Sequence, residues 1–279
     1  MDSVRRLLEI MARLREPERG CPWDLRQTYA TIVPYTLEEA YEVADAIQRG
    51  DMRELRDELG DLLFQIVFYS QIAHEEGHFD FDTVARGICD KMVRRHPHVF
   101  GDAAYRDDAQ LREAWEGAKA AERAAREAGS EPSQLDGVAR ALPALIRAEK
   151  LQRRAARVGF DWPDAHGAFV KAREELDEIE AELDAADPDR LQDEFGDLLF
   201  AMVNVVRLLG LDAEQTLSRA SEKFERRFRA MEAALRAAGR PDLRRLTPDE
   251  LDAAWEGVKC AERAGTRVGV ARSEDAQDS

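Results

Sequence analysis

An acidic pattern written twice constrains this chain more than any other feature. Glu38-Glu39-Ala40-Tyr41-Glu42 is followed by Asp57-Glu58-Leu59-Gly60-Asp61-Leu62-Leu63-Phe64. Glu174-Glu175-Leu176-Asp177-Glu178 is followed by Asp193-Glu194-Phe195-Gly196-Asp197-Leu198-Leu199-Phe200. Each matched carboxylate returns 136 positions later, with no insertion. Residues three apart on an α-helix share a face, roughly 5–6 Å apart at Cβ. Glu39 with Glu42 and Glu58 with Asp61 are such pairs, as are Glu175 with Glu178 and Glu194 with Asp197. The 16 positions from Glu42 to Glu58 suffice to end one helix, turn at Arg49-Gly50-Asp51 and open an antiparallel partner. Each copy therefore predicts a helix hairpin on which four carboxylates face one another.

Four such groups repel strongly without a counter-ion. Hard oxygen ligands in that number suit Mg²⁺ or Mn²⁺. A solvated acidic face is the plainer reading of one pair alone, since 35% of the chain is charged. Two observations weigh against it. Glu58 and Asp61 sit within the apolar run Leu59, Leu62, Leu63, Phe64, and the whole arrangement recurs at one offset.

The remaining pattern is helical throughout. Val4, Leu7, Leu8, Met11 and Leu14 form one stripe over 3–15, ended by Pro17 and Gly20. Acidic helices are expected at 36–48 and from 52 through the apolar run to 72, with a further helix at 82–95. Thr28 and Thr31 are candidate caps. Gly60 and Gly196 interrupt the acidic helices, which costs roughly 1 kcal/mol each relative to Ala; close packing or room for an ion would justify them. Trp23 reads as a packing anchor, and His96-Pro97-His98 as a loop or packing element. A helix over 108–128 carries Trp115 and Lys119. The second half repeats this order, with helices expected from Pro143 to 158 and at 165–185, 189–209, 213–238 and 248–264. Ala114–Arg123 and Ala254–Arg263 agree at eight of ten positions. Two copies make a duplication, short of the three or more repeats of a solenoid. The expected organisation is all-α: a helical-bundle domain at 1–127, a linker at 128–140, a second bundle at 141–264 and a disordered tail at 265–279.

With 279 residues, two domains are of ordinary size, and 44% hydrophobic content can fill their cores. A net charge of −16 argues against a nucleic-acid backbone or an anionic membrane as partner. Cys21, Cys89 and Cys260 are far apart and read as free thiols of a reducing compartment. No secretory leader pattern occurs and no apolar run reaches about 18 residues, so a soluble, cytoplasmic protein is expected.

Local cations accompany the acidic motif. Lys223, Arg226 and Arg227 form a compact row, and Lys91, Arg94 and Arg95 repeat its spacing. Such a row is usually a salt-bridged helix face; beside clustered carboxylates it suits a polyphosphate. No P-loop, GxSxG or CxxC occurs, which leaves metal-activated water as the simpler chemistry.

EExxE…ExxD on an all-helical chain resembles the all-α NTP pyrophosphohydrolase superfamily. Gly20–Asp24, Tyr35–Glu39, Gly60–Gln65, Arg94–Phe100 and Lys223–Phe228 resemble the MazG family in its two-domain form. The resemblance covers residues 1–264. It implies a homodimer that hydrolyses nucleoside triphosphates to the monophosphate and pyrophosphate with Mg²⁺. By motif, Glu175, Glu178, Glu194 and Asp197 would be metal ligands, with Glu39, Glu42, Glu58 and Asp61 as counterparts. Glu174, or Glu38, would position or deprotonate water. Lys171, Lys223, Arg227, Trp255 and Lys259 would contact the nucleotide, with Arg226 beside them. Lys171 corresponds to Tyr35, so the first copy lacks that cation, in keeping with a C-terminal copy that is generally the active one in this family. Competing readings are a narrower pyrophosphohydrolase acting on dUTP, dCTP or phosphoribosyl-ATP, a nucleotide sensor without turnover, and a structural helical dimer.

Overall fold

The computed structural model describes residues 2–107, 110, 111, 114, 115, 117, 122, 133–183 and 187–274, with side chains to 263. All regular elements among them are helices, and the chain divides into two units, Met1–Arg126 and Glu127–Ser279.

The first unit contains α1 (Asp2–Leu14), α2 (Pro22–Leu25), α3 (Tyr29–Arg49), α4 (Met52–Glu75), α5 (Phe81–Arg95) and α6 (Pro97–Phe100). The turn after α1 is closed by Gly20, where a Cβ would lie 2.4 Å from the Leu14 carbonyl oxygen. Thr28 and Thr31 cap α3 reciprocally: the Thr28 hydroxyl accepts from the Thr31 amide and the Thr31 hydroxyl from the Thr28 amide. That cap starts α3 seven residues before the expected 36. Pro34 lies inside the helix; the completed cap and the burial of Ile32 hold the helix despite the missing amide. Met11, Ile32, Val67, Phe68 and Ile72 form the core between α1, α3 and α4. Arg15 closes it from above, with its guanidinium 5.4 Å from the Phe68 ring centre, its Nη2 2.7 Å from Glu75 and its Nη1 donating to the Asp24 carbonyl at 2.6 Å. The helix expected at 108–128 falls mostly outside the described residues, and 110, 111, 114, 115, 117 and 122 are helical within it.

The second unit contains α7 (Ala144–Ala156), α8 (Ala165–Glu182), α9 (Pro188–Leu208), α10 (Ala213–Ala237), a 3₁₀ turn (Leu243–Arg245) and α11 (Pro248–Glu274). Asp164, Asp187 and Asp212 cap α8, α9 and α10 by accepting backbone N–H bonds. Its buried apolar residues include small ones, Ala168, Ala172 and Ala213, beside Ile179, Val203, Met231 and Leu235. α11 continues to Glu274, ten residues into the expected tail. Extending an existing helix adds a hydrogen bond per residue without a new nucleus, which polarity alone does not oppose.

Phe68 is fully buried at the centre of the first core. Phe68→Ala should lower unfolding free energy by about 3–5 kcal/mol in urea titrations, with α-helical circular dichroism retained at zero denaturant.

Candidate metal and nucleotide site

Both acidic hairpins bring their carboxylates together. Gly50 ends α3 with a left-handed φ of 69°, and Asp51 accepts from the Arg53 and Glu54 amides at 3.0 Å to start α4. Across the first hairpin Glu42 meets Glu58, Glu39 meets Asp61 and Gln65, and Ile32 shares a core with Phe68. Across the second, Glu178 meets Glu194, Glu175 meets Asp197, and Lys171, Ala168, Ala201 and Asn204 line one cavity. One carboxylate oxygen each from Glu39, Glu42 and Glu58 lies within 4.8 Å of the others, and the same holds for Glu175, Glu194 and Asp197. Asp61 and Glu178 stand beside these triads: Asp61 is close enough to raise the Glu39 pKa, and Glu175 and Glu194 are close enough to raise that of Glu178.

Crowding shows in the protonation equilibria. Burial first, then Asp61 and Glu42, holds the Glu39 carboxyl above its ordinary pKa; burial and then Glu42 and Asp61 do the same for Glu58. In the second unit Lys171 pulls Glu178 down, yet burial and the Glu175 and Glu194 carboxylates outweigh it and the net shift is upward. The Lys171 ammonium lies 2.8 Å from Glu175 and 3.3 Å from Glu174, and the Glu175 contact raises its own pKa. Glu175 is 4% exposed. The Tyr35 position of the first copy carries no cation, and Gln65 Nε2 donates to Glu39 at 3.4 Å. Crowded, self-repelling oxygen donors in both hairpins fit a hard divalent cation.

The two units differ in what lies beyond the carboxylates. In the second, a cavity of about 840 Å³ opens between α7, α8, α9 and the Gly159–Trp162 loop. Lys171, Glu175, Glu178, Glu194 and Asp197 line one end; Ala168, Ala201, Asn204, Phe200 and Trp162 line the rest. In the first unit the matched positions carry the larger Ile32, Gln65 and Phe68, all buried, with Ile32 and Phe68 packed into the core. The acidic glycines have a different use from close packing within the chain: a Cβ at Gly60 or Gly196 would meet no atom within 4 Å.

Glu174 reaches the site through Lys171. Lys223, Arg226, Arg227, Trp255 and Lys259 do not line the cavity. They form a second group on α10 and α11, where Arg227 Nε and Arg226 Nη2 reach Glu262 at 2.7 and 3.3 Å, Trp255 packs 5.3 Å from Phe224 and Lys259 pairs with Glu256. The first copy repeats that clamp with Arg94 and Arg95 on Glu122, whose pKa their hydrogen bonds lower to about 2. His96 packs 5.1 Å from Trp115 and its Nδ1 donates to the Met92 carbonyl, the packing role expected of it. Trp23, by contrast, is 43% exposed and meets Tyr35 edge-on at 5.8 Å. The cavity-lining Gln152, Ala168, Ala201 and Asn204 escaped motif reading. For the last three the signal was available in the 136-residue offset, as small or polar residues where the first copy has Ile32, Gln65 and Phe68.

Comparison with known proteins places these features in context. The model of the MazG nucleotide pyrophosphohydrolase domain matches residues 27–100 and 170–231. The nucleoside triphosphate pyrophosphohydrolase of Escherichia coli is 50% identical over 261 residues, 93% of this chain and 98% of that protein. The nucleoside triphosphate pyrophosphohydrolase/pyrophosphatase MazG of Thermotoga maritima is 42% identical over 253 residues, 91% of this chain and 94% of that protein. The crystal structure of a mazG-related protein from Thermotoga maritima aligns with 42% of this chain and 98% of its own at 26% identity, with a TM-score of 0.36.

Saturating Mg²⁺ or Mn²⁺ should raise Tm by about 5–10 °C at pH 7, read by scanning calorimetry. Glu175→Gln with Asp197→Asn, and separately Glu39→Gln with Glu58→Gln, should each remove part of that shift. Carboxyls raised above their unfolded pKa stabilise the fold below the unfolded value and lose that contribution as pH rises through the folded value. The metal-induced shift should therefore shrink as pH falls towards about 4.5.

Proposed function

The chain belongs to the MazG nucleotide pyrophosphohydrolase family, and on that footing we propose that its working site is the second acidic hairpin, where a nucleoside triphosphate is cut to monophosphate and pyrophosphate. The observation that carries this assignment is the cavity whose acidic end holds Glu175, Glu178, Glu194 and Asp197 and whose remainder is roomy and mostly apolar. A triphosphate needs the first, and a nucleoside the second. Lys171 adds a cation at the junction. The first hairpin keeps its carboxylates but has Ile32 and Phe68 where the second has space, which supports a structural or regulatory part for it.

Glu175, Glu178, Glu194 and Asp197 would hold Mg²⁺, with Mn²⁺ as an alternative. A divalent cation bound there supplies neutralisation of the phosphate charge and a lowered pKa for water. The chain's own groups do the rest. Lys171 holds negative charge on the phosphates; the Lys223–Arg227 row, which lies outside the cavity, would add to it only once Arg226 and Arg227 leave Glu262. Glu174 orients a water and takes its proton as the oxygen attacks the α-phosphorus in line. The bond from that phosphorus to its bridging oxygen breaks, and the bridging oxygen leaves with pyrophosphate.

We also assign a homodimer. Leu37, Tyr41, Leu59, Leu63, Phe195 and Leu199 are large apolar side chains exposed on the acidic hairpins, a surface that a second copy would cover. No helix among the described residues is long and apolar enough to cross a membrane, and a cytoplasmic site of action fits its three free cysteines.

Glu178→Ala should reduce formation of monophosphate and pyrophosphate by at least about a hundredfold, measured by product chromatography, with unchanged circular dichroism. Turnover close to the unmodified protein's would refute the assignment of the site. Light scattering should give twice the chain mass, and a monomer at micromolar concentration would contradict the dimer.

A further inference from the structure

We propose that Asn204 is a specificity-determining hydrogen-bond donor to the nucleobase, held in its donor orientation by Arg207. The proposal rests on the nucleotide reading of the second cavity.

Glu194, Asp197, Ala201 and Asn204 follow one another at spacings of three and four along α9, so they form a single stripe. All four line the cavity. From Asp197 to Asn204 the helix rises about 10 Å, a span on the scale of a nucleoside. With phosphates anchored at the acidic end, the base comes to rest at the level of Asn204.

The chemistry of Asn204 is set by its neighbours. Its Oδ1 accepts from Arg207 Nε at 2.9 Å and from Arg207 Nη2 at 2.5 Å. Arg207 is itself fixed: its side chain is 8% exposed, and its Nη2 also pairs with Asp161, whose Oδ1 accepts from the Trp162 amide at 2.9 Å. A guanidinium has only donors to give, so it cannot serve the Asn204 amide in the flipped orientation. The oxygen is therefore committed, and Nδ2 is what remains for a ligand. Among the described residues no protein group accepts from Nδ2. A nucleobase carbonyl or unprotonated ring nitrogen is the acceptor that fits.

The duplicated half supplies the control. Asn204 matches Phe68, which is fully buried beneath Arg15, and Arg207 matches Gln71, which pairs with Glu75 instead. The same scaffold position thus packs well with an aromatic ring. Replacing it by an amide, and backing that amide with a guanidinium whose side chain is 8% exposed, is costly for stability alone; it makes sense where a polar ligand edge arrives.

The test measures calorimetric affinity, with Mg²⁺, for the four α,β-imido ribonucleoside triphosphates and for inorganic tripolyphosphate, which has no base. Asn204→Asp keeps the volume and an oxygen for Arg207; Asn204→Ala removes the donor without adding charge. Both should weaken imido-nucleotide binding about tenfold, unevenly across the four bases, and leave tripolyphosphate binding unchanged. Arg207→Gln, which frees the amide to turn, should narrow the spread of affinities among bases, again without touching tripolyphosphate. Equal losses for tripolyphosphate, unchanged nucleotide affinity, or an identical loss for all four bases would each overturn the proposal, the last by moving the contact to the sugar. Turnover by the unmodified protein is read separately: absence of monophosphate and pyrophosphate would overturn the pyrophosphohydrolase reading while the binding comparison still decides the role of Asn204.

Discussion

Mutual repulsion among carboxylates on a helix hairpin is the constraint around which this chain is built. Helical periodicity forces Glu39, Glu42, Glu58 and Asp61 onto facing sides, and the hydrophobic core holds the hairpin shut over them. Burial and like charge then keep Glu39 and Glu58 harder to ionise than free carboxyls. Such a cluster works against folding unless a cation enters. The second hairpin meets part of that demand internally, through Lys171 on Glu175.

Duplication gave the two hairpins a common frame and different interiors. Where the first carries Ile32, Gln65 and Phe68, the second carries Ala168, Ala201 and Asn204. The former closes as a core; the latter leaves about 840 Å³ open beside the acids. Large-to-small changes inside a protein ordinarily cost stability through the void they create. Here the void adjoins the carboxylates, and a ligand can offset the cost by binding. The divergence thus separates two tasks that one copy cannot perform together: tight packing and, on the proposed reading, admission of a nucleoside.

Much of this was legible in the sequence. The acidic periodicity, the offset and the Gly50 turn led to the paired hairpins, since each rests on local geometry. Boundaries were less so: α3 was expected from 36 but starts at Tyr29 on the Thr28–Thr31 cap, and the polar stretch after Ala264 concealed the continuation of α11 to Glu274. The cavity was invisible to motif reading because no single residue makes it. It arises from absences of volume at Ala168 and Ala201 and from the loop carrying Phe160 and Trp162, all set by tertiary packing. Nor could spacing reveal that Arg226 and Arg227 spend this state on Glu262, a residue more than thirty positions away.

On the proposed reading, the second carboxylate cluster would capture divalent metal against a triphosphate. Anomalous diffraction at the manganese edge, from crystals grown with Mn²⁺ and an α,β-imido nucleoside triphosphate, tests it most directly. A peak is expected within coordination distance of Glu175, Glu194 and Asp197, with triphosphate oxygens on its far side and the base towards Asn204. A fully bound nucleotide with its phosphates elsewhere, and those carboxylates turned outward without metal, would contradict it.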